Sequence, residues 1–165
     1  MKAWAALLML MAGGAAVSAP ALRDRAAMSG VPNVARAHQN WMLKCQGCHR
    51  PDATGTPATT PPMKGKVAMF MHTDGGREYL GRVPGVATAG LPDDQLAELV
   101  NWTLQYFDPA HVPKDFKPYT AKEIGQLRSR PLRTDAATVR GGLMAKIDAS
   151  KSIGPEDSPR IGVQN

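Results

Sequence analysis

The stretch Cys45-Gln46-Gly47-Cys48-His49 decides how the rest of the chain is read. Two cysteines three apart, with a histidine directly after the second, form the attachment signature of a c-type haem. Each thiol adds to one vinyl group to leave a thioether, and the histidine that follows is set under the macrocycle, where its imidazole ligates the iron. These are the only two cysteines among 165 residues, so no other thiol competes for the role. Three other uses of the pattern fare worse. A redox dithiol of thioredoxin type needs a strand before it and a helix after it, and no βαβ pattern surrounds this site. A zinc centre needs two further ligands, whereas His38, His72 and His111 are scattered without metal-site spacing. A disulfide here would close a very small, strained loop.

The start of the chain agrees with such a cofactor. Lys2, the apolar run from Trp4 to Met11 and the small residues after it read as a secretory signal over residues 1–21. Val17-Ser18-Ala19 and Ala19-Pro20-Ala21 both fit a cleavage site, and the second is favoured because the first leaves Pro20 directly after the cut. The run is short for a membrane span of about 20 residues, so the expectation is a periplasmic product with no stable membrane span after signal cleavage. Haem of this type is attached outside the bacterial cytoplasm. Aromatic residues make up only 5% of the chain, and a porphyrin supplies apolar area that side chains then do not. The formal net charge of +6 is unevenly spread: residues 33–108 hold seven basic and seven acidic side chains, and from Lys114 on there are ten basic and six acidic. The excess lies in a C-terminal extension, either a solvated tail or a surface that steers docking onto an acidic partner or a membrane. Export argues against a nucleic-acid partner.

Asn33 is placed to cap a helix whose apolar face is spelled by Val34, Ala37, His38, Trp41 and Cys45 at three- and four-residue spacing. Gly47 permits the tight turn of the motif. At this point the chain resembles the class I cytochrome c family. That family's first helix carries a small residue eight before the first cysteine and an aromatic four before it, here Ala37 and Trp41. The family usually has glycine at the first position, so Ala37 would hold the two terminal helices slightly apart. After a loop over residues 50–60, Pro61-Pro62-Met63-Lys64-Gly65 is similar to the family's Pro-X-Leu-X-Gly segment. The resemblance implies that the Pro61 carbonyl accepts the N–H of His49, which fixes the ring and raises its basicity. It also implies that Met63 packs on the proximal haem face rather than ligating. Beyond the apolar run 67–72, a helix through Arg77 and Val83 is expected to stop at Pro84, followed by a small-residue loop over residues 86–90. Pro92, Asp93 and Asp94 suit the start of the last core helix. Its apolar stripe is Leu96, Leu99, Val100, Trp102, Thr103 and Phe107, and Asp108-Pro109 ends it.

The resulting expectation is an all-α, cytochrome c-like fold of three to four helices around one covalently bound haem c, with a partly helical C-terminal extension. The divisions are a signal at 1–21, a leader at 22–32, the haem domain at 33–108, a strap and helical extension at 109–149, and a disordered tail at 150–165. Thr120-Ala121-Lys122-Glu123 is a capping box, opening a helix through Ile124 and Leu127. A second helix over 136–149 is interrupted at Gly141-Gly142.

The resemblance fails on the distal side. Class I cytochromes usually supply a methionine from the loop before the last helix, and residues 84–91 contain neither methionine nor histidine. The substitutes by analogy are Met71 or His72, with Met69 in the same run; His111 and Met144 would require the extension to fold back over the haem. The family reading implies a carrier of single electrons, not an enzyme, between a periplasmic redox enzyme as donor and a cytochrome or oxidase as acceptor. The alternative is an open-site, five-coordinate haem protein that binds a small ligand or performs haem chemistry.

Overall fold

A computed structural model describes residues 27–152. The expected signal segment, part of the leader and most of the expected tail lie outside the described residues. The architecture is all-helical: α1 (Val34–Lys44), the single turn α2 (Gln46–His49), a 3-10 segment Val67–His72, α3 (Gly76–Arg82), the single turn α4 (Pro84–Ala87), α5 (Asp93–Phe107), α6 (Ala121–Arg128) and α7 (Ala136–Ser152).

The core forms where α1 crosses α5. Ala37 and Trp41 of α1 are fully buried against Leu96, Leu99 and Trp102 of α5. Asn33 caps α1 by accepting from the Arg36 N–H at 2.9 Å. The same turn is clamped from α5 by Glu98, which is only 1% exposed. Its carboxylate accepts from the Asn33 N–H at 2.7 Å and from Arg36 Nε and Nη2 at 2.7 and 3.1 Å. A negative charge there also suits the positive end of α1. The far end of α5 holds the segment that follows the long loop: the Gly65 N–H donates to the Phe107 carbonyl at 2.9 Å, and buried Asp108 accepts from the Ala68 N–H at 2.8 Å.

Three elements differ from the sequence expectation. Pro84 ends α3 as expected but also opens α4, because proline is tolerated at the first position of a helix, where its missing N–H has no partner to lose. Gly141 and Gly142 do not interrupt α7. Both sit exposed on its outer side, and their propensity cost of about 1 kcal/mol each is offset by Leu143 and Ile147, which α7 buries. The capping box of α6 is half formed. Thr120 accepts from the Glu123 N–H, but the Glu123 carboxylate turns to Arg77 of α3, meeting Nε at 2.5 Å and Nη2 at 2.7 Å. α6 and α3 lie close: a Cβ on Gly81 would come within 2.5 Å of Leu127 Cδ1.

An asparagine of the core holds the strap that opens the extension. Asn101, fully buried on α5, donates to the carbonyls of Tyr119 (3.0 Å) and Gly30 (3.2 Å) and accepts from the Tyr119 N–H at 2.8 Å. Buried Tyr119 donates its hydroxyl to the Arg77 carbonyl at 2.8 Å, with the Arg77 guanidinium 4.0 Å above its ring. Replacing Asn101 by alanine strands buried backbone groups of the strap. It is expected to cost about 2–4 kcal/mol, read as a lower midpoint in urea denaturation, whereas Gln126→Ala on an exposed face of α6 leaves the midpoint in place.

Candidate cofactor-binding site

α1 delivers the Cys-X-X-Cys-His motif. The Cys45 N–H donates to the Trp41 carbonyl at 2.9 Å, and the N–H groups of Cys48 and His49 both donate to the Cys45 carbonyl, at 3.2 and 3.0 Å. The motif therefore winds into α2, and Cys45, Cys48 and His49 all line one cavity of about 480 Å³. That size falls within the range of small-molecule and cofactor sites, about 300–1,000 Å³. Both thiols are free. Burial, with Cys48 nearby, pushes the Cys45 thiol up to about 11. His49 is half-buried, and that burial holds its pKa below the ordinary histidine value against an opposing effect of the Pro61 carbonyl. That direction favours the neutral imidazole, the form in which histidine ligates a metal. His49 Nδ1 is nevertheless buried without a hydrogen bond of normal geometry, so Pro61 sits beside the ring without completing the bond the resemblance implies.

The loop between the motif and Met63 is pinned to it. The Gly55 N–H donates to the His49 carbonyl at 3.0 Å, Thr56 Oγ1 donates to the Cys48 carbonyl at 3.0 Å, and the Met63 N–H returns to the Ala53 carbonyl at 2.9 Å. Three non-glycine residues here adopt positive φ: Arg50 (65°), Ala53 (59°) and Ala58 (64°). Such conformations are uncommon outside glycine and persist where surrounding contacts over-determine them. Gly55 (φ 74°) is where the loop closes: a Cβ would lie 2.3 Å from the Thr60 carbonyl oxygen and 2.9 Å from that of Pro61. Its missing side chain lets Pro61 reach His49.

The remaining walls are apolar. α5 contributes Leu96, Leu99, Val100, Thr103 and Leu104; α3 contributes Tyr79 and Leu80; the segment after it contributes Val83 and Val86. Trp41 closes the side next to His49, its ring 5.9 Å from the imidazole and 4.6 Å from Phe107. Of the residues singled out by sequence, Cys45, Cys48, His49, Trp41, Pro61 and Met63 meet around this cavity.

Met71 and His72, the candidate distal ligands, are placed elsewhere and do not line it. The reason is the three-residue turn of the segment they occupy, in which residues i and i+3 lie on one face. Val67 and Phe70 take the cavity face. Met71 Sδ accepts from the Tyr119 hydroxyl at 3.8 Å, and His72 Nε2 donates to the His111 carbonyl at 2.8 Å. His111 is itself paired with Asp108 at 2.6 Å, and Met69 meets Lys151 Nζ at 3.5 Å. Neither residue lines the cavity, and nor does Met144. Sequence reasoning did not single out Tyr79, Ala136, Ala137 or Arg140, all of which do.

Two free thiols and an imidazole on the wall of a largely apolar cavity fit a covalently attached haem. They do not suit a bare metal ion, since among the described residues no group of three or more His, Cys, Asp or Glu side chains converges to hold one. The thioredoxin-like alternative lacks its sheet, because the described residues form only one isolated bridge, Thr56 with Thr60. No described helix is long and apolar enough to cross a membrane.

No protein-family model matches the chain. Two relatives do. Cytochrome c-552 of Thermus thermophilus is 34% identical over 107 residues, covering 54% of this chain and 82% of that protein. A cytochrome c-552 from Thermus thermophilus strain ATCC 27634 is likewise 34% identical over 107 residues, covering 54% of this chain and 72% of its own length.

The glycine that admits Pro61 gives a direct check. Gly55→Ala is expected to destabilise the protein by more than about 1 kcal/mol in urea melts. Gly47→Ala, whose Cβ meets nothing within 4 Å, leaves stability in place.

Proposed function

The chain belongs to the class I c-type cytochromes, and from that premise we propose that it is a periplasmic monohaem carrier of single electrons. Its donor is a periplasmic redox enzyme and its acceptor another cytochrome or an oxidase. The observation that carries this reading is the convergence of Cys45, Cys48 and His49 on one apolar cavity. When bound, haem supplies a one-electron ferrous–ferric couple. The protein's part is to hold and tune it. Cys45 and Cys48 would anchor it through thioethers, and His49 would offer it a ligating nitrogen. Trp41, Leu99 and Val100 exclude water, which lowers the local dielectric and sets the cost of the ferric charge. Electron transfer needs no catalytic acid or base.

A second reading rests on one observation: Met71 and His72 are engaged outside the cavity, and among the described residues the only methionine on its wall is Met63, in the segment that follows the motif's loop. An iron left with one protein ligand would bind small molecules. The two readings differ in the spectrum of the purified protein. A carrier closed by methionine sulfur shows a weak far-red ferric charge-transfer band and does not bind carbon monoxide readily. A high-spin ferrous form that takes up carbon monoxide at once favours the open site. The shared premise has its own check. Acid–acetone extraction is expected to leave haem on the wild-type chain and strip it from the double variant Cys45→Ser/Cys48→Ser; haem that withstands extraction from the double variant would sink the thioether assignment.

A further inference from the structure

The C-terminal extension is not a free arm. α7 lies against the 67–72 segment and α3, and it brings Ala136, Ala137 and Arg140 to the cavity wall. Arg140 differs in kind from its surroundings. Its side chain is half-buried, and its guanidinium carbon is 6.0 Å from the centre of the Phe70 ring. Its charge acts on the Tyr79 hydroxyl, another group of the wall, opposing the upward shift that burial imposes there.

Among the described residues Arg140 has no counter-ion. The ion pairs of the described residues join Arg36, Arg77, His111, Arg128 and Lys151 to carboxylates, and Arg140 is in none of them. Among the described residues the wall holds no aspartate or glutamate, and its only other cation is Lys44, exposed at the end of α1 beside Cys45. A partly buried charge is costly unless it is paired, so the cavity is electrostatically incomplete in a way that an anion would correct. An arginine fork suits a carboxylate in particular, since two parallel N–H groups match its two oxygens.

We propose that Arg140 is the carboxylate-binding residue of this cavity and takes a haem propionate, making α7 a wall of the cofactor site rather than a docking arm. This rests on the haem reading given above. A small anion entering the cavity offers the same chemistry from another source, and the experiment separates the two.

The haem-loaded, full-length protein is compared with Arg140→Gln, Arg140→Lys and, as a control for net charge, Arg133→Gln, an exposed residue of the same extension. Covalent haem in the wild type is first established by mass and by the pyridine haemochrome spectrum; its absence would defeat the cytochrome reading and this inference with it. With haem present, Arg140→Gln is expected to lower the reduction potential, because the unpaired propionate left behind favours the ferric charge. Arg140→Lys recovers part of that shift, Arg133→Gln leaves the potential in place, and ferric azide affinity changes by less than about twofold. The assignment alone is overturned if haem is present and the potential does not move in Arg140→Gln. It is overturned equally if Arg140→Lys matches Arg140→Gln, or if Arg133→Gln moves the potential as far. An azide affinity lowered by about tenfold or more at unchanged potential would assign Arg140 to an entering anion instead.

Discussion

The crossing of α1 on α5 is the constraint on which the site depends. Glu98, buried at that crossing, accepts from the first turn of α1 through the Asn33 N–H and the Arg36 guanidinium. Ala37 and Trp41 then fill the contact one and two turns later. With the start of α1 held in this way, its last turn can end in only one place, and that end is Cys45. The thiols and the imidazole are positioned by a helix–helix packing that begins about three turns away, since a helix rises about 5.4 Å per turn. The same carboxylate would be a liability if unpaired; satisfied by three donors, it specifies the orientation of the helix that carries the motif.

What was legible in the sequence follows the range of the interactions concerned. Asn33, the i, i+3 and i, i+4 stripe through Trp41, the Asp93-Asp94 start of α5 and the Thr120 cap all act within a turn or two, and each can be read from neighbouring residues. Cys45–His49 was legible for the same reason. Pro84 ended α3 as read, but its second role in opening α4 went unread, since a proline at a first helical position loses nothing; Gly141-Gly142 misled because glycines on an exposed face are tolerated where the opposite face is buried. The relation of His49 to Pro61 was expected from resemblance, but its angular detail depends on Gly55 and on left-handed alanines that no propensity would suggest. Met71 and His72 were candidates by position along the chain. Their engagement elsewhere depends on the winding of a six-residue 3-10 segment and on partners, Tyr119 and the His111 carbonyl, many residues away.

The extension was the least legible part. A basic stretch after a finished domain reads as a solvated tail, because composition alone does not tell which side of a helix faces inward. Its docking rests on Asn101, Arg77 and Tyr119, contacts that span the chain and leave no periodic trace. They also change how the charge is distributed. Arg77 and Arg128 pair with acids across helices, and Arg128 also donates to the Leu91, Ala87 and Ala89 carbonyls. Of the extension's basic excess Arg128 is thus held by the core, whereas the Arg77 pair takes up one of the extension's own acids, Glu123.

The cavity draws its walls from both ends of the described chain: Cys45–His49 come near its start, and Ala136, Ala137 and Arg140 come near its end. A wall made of the last helix cannot close before that helix exists and has docked. Contacts so distant in sequence are slow to form, because the loop entropy between them must be met first. Until that docking the thiols line a cavity that lacks one wall, so the site is a property of the whole fold: loosening α7 would open the cavity without touching the motif.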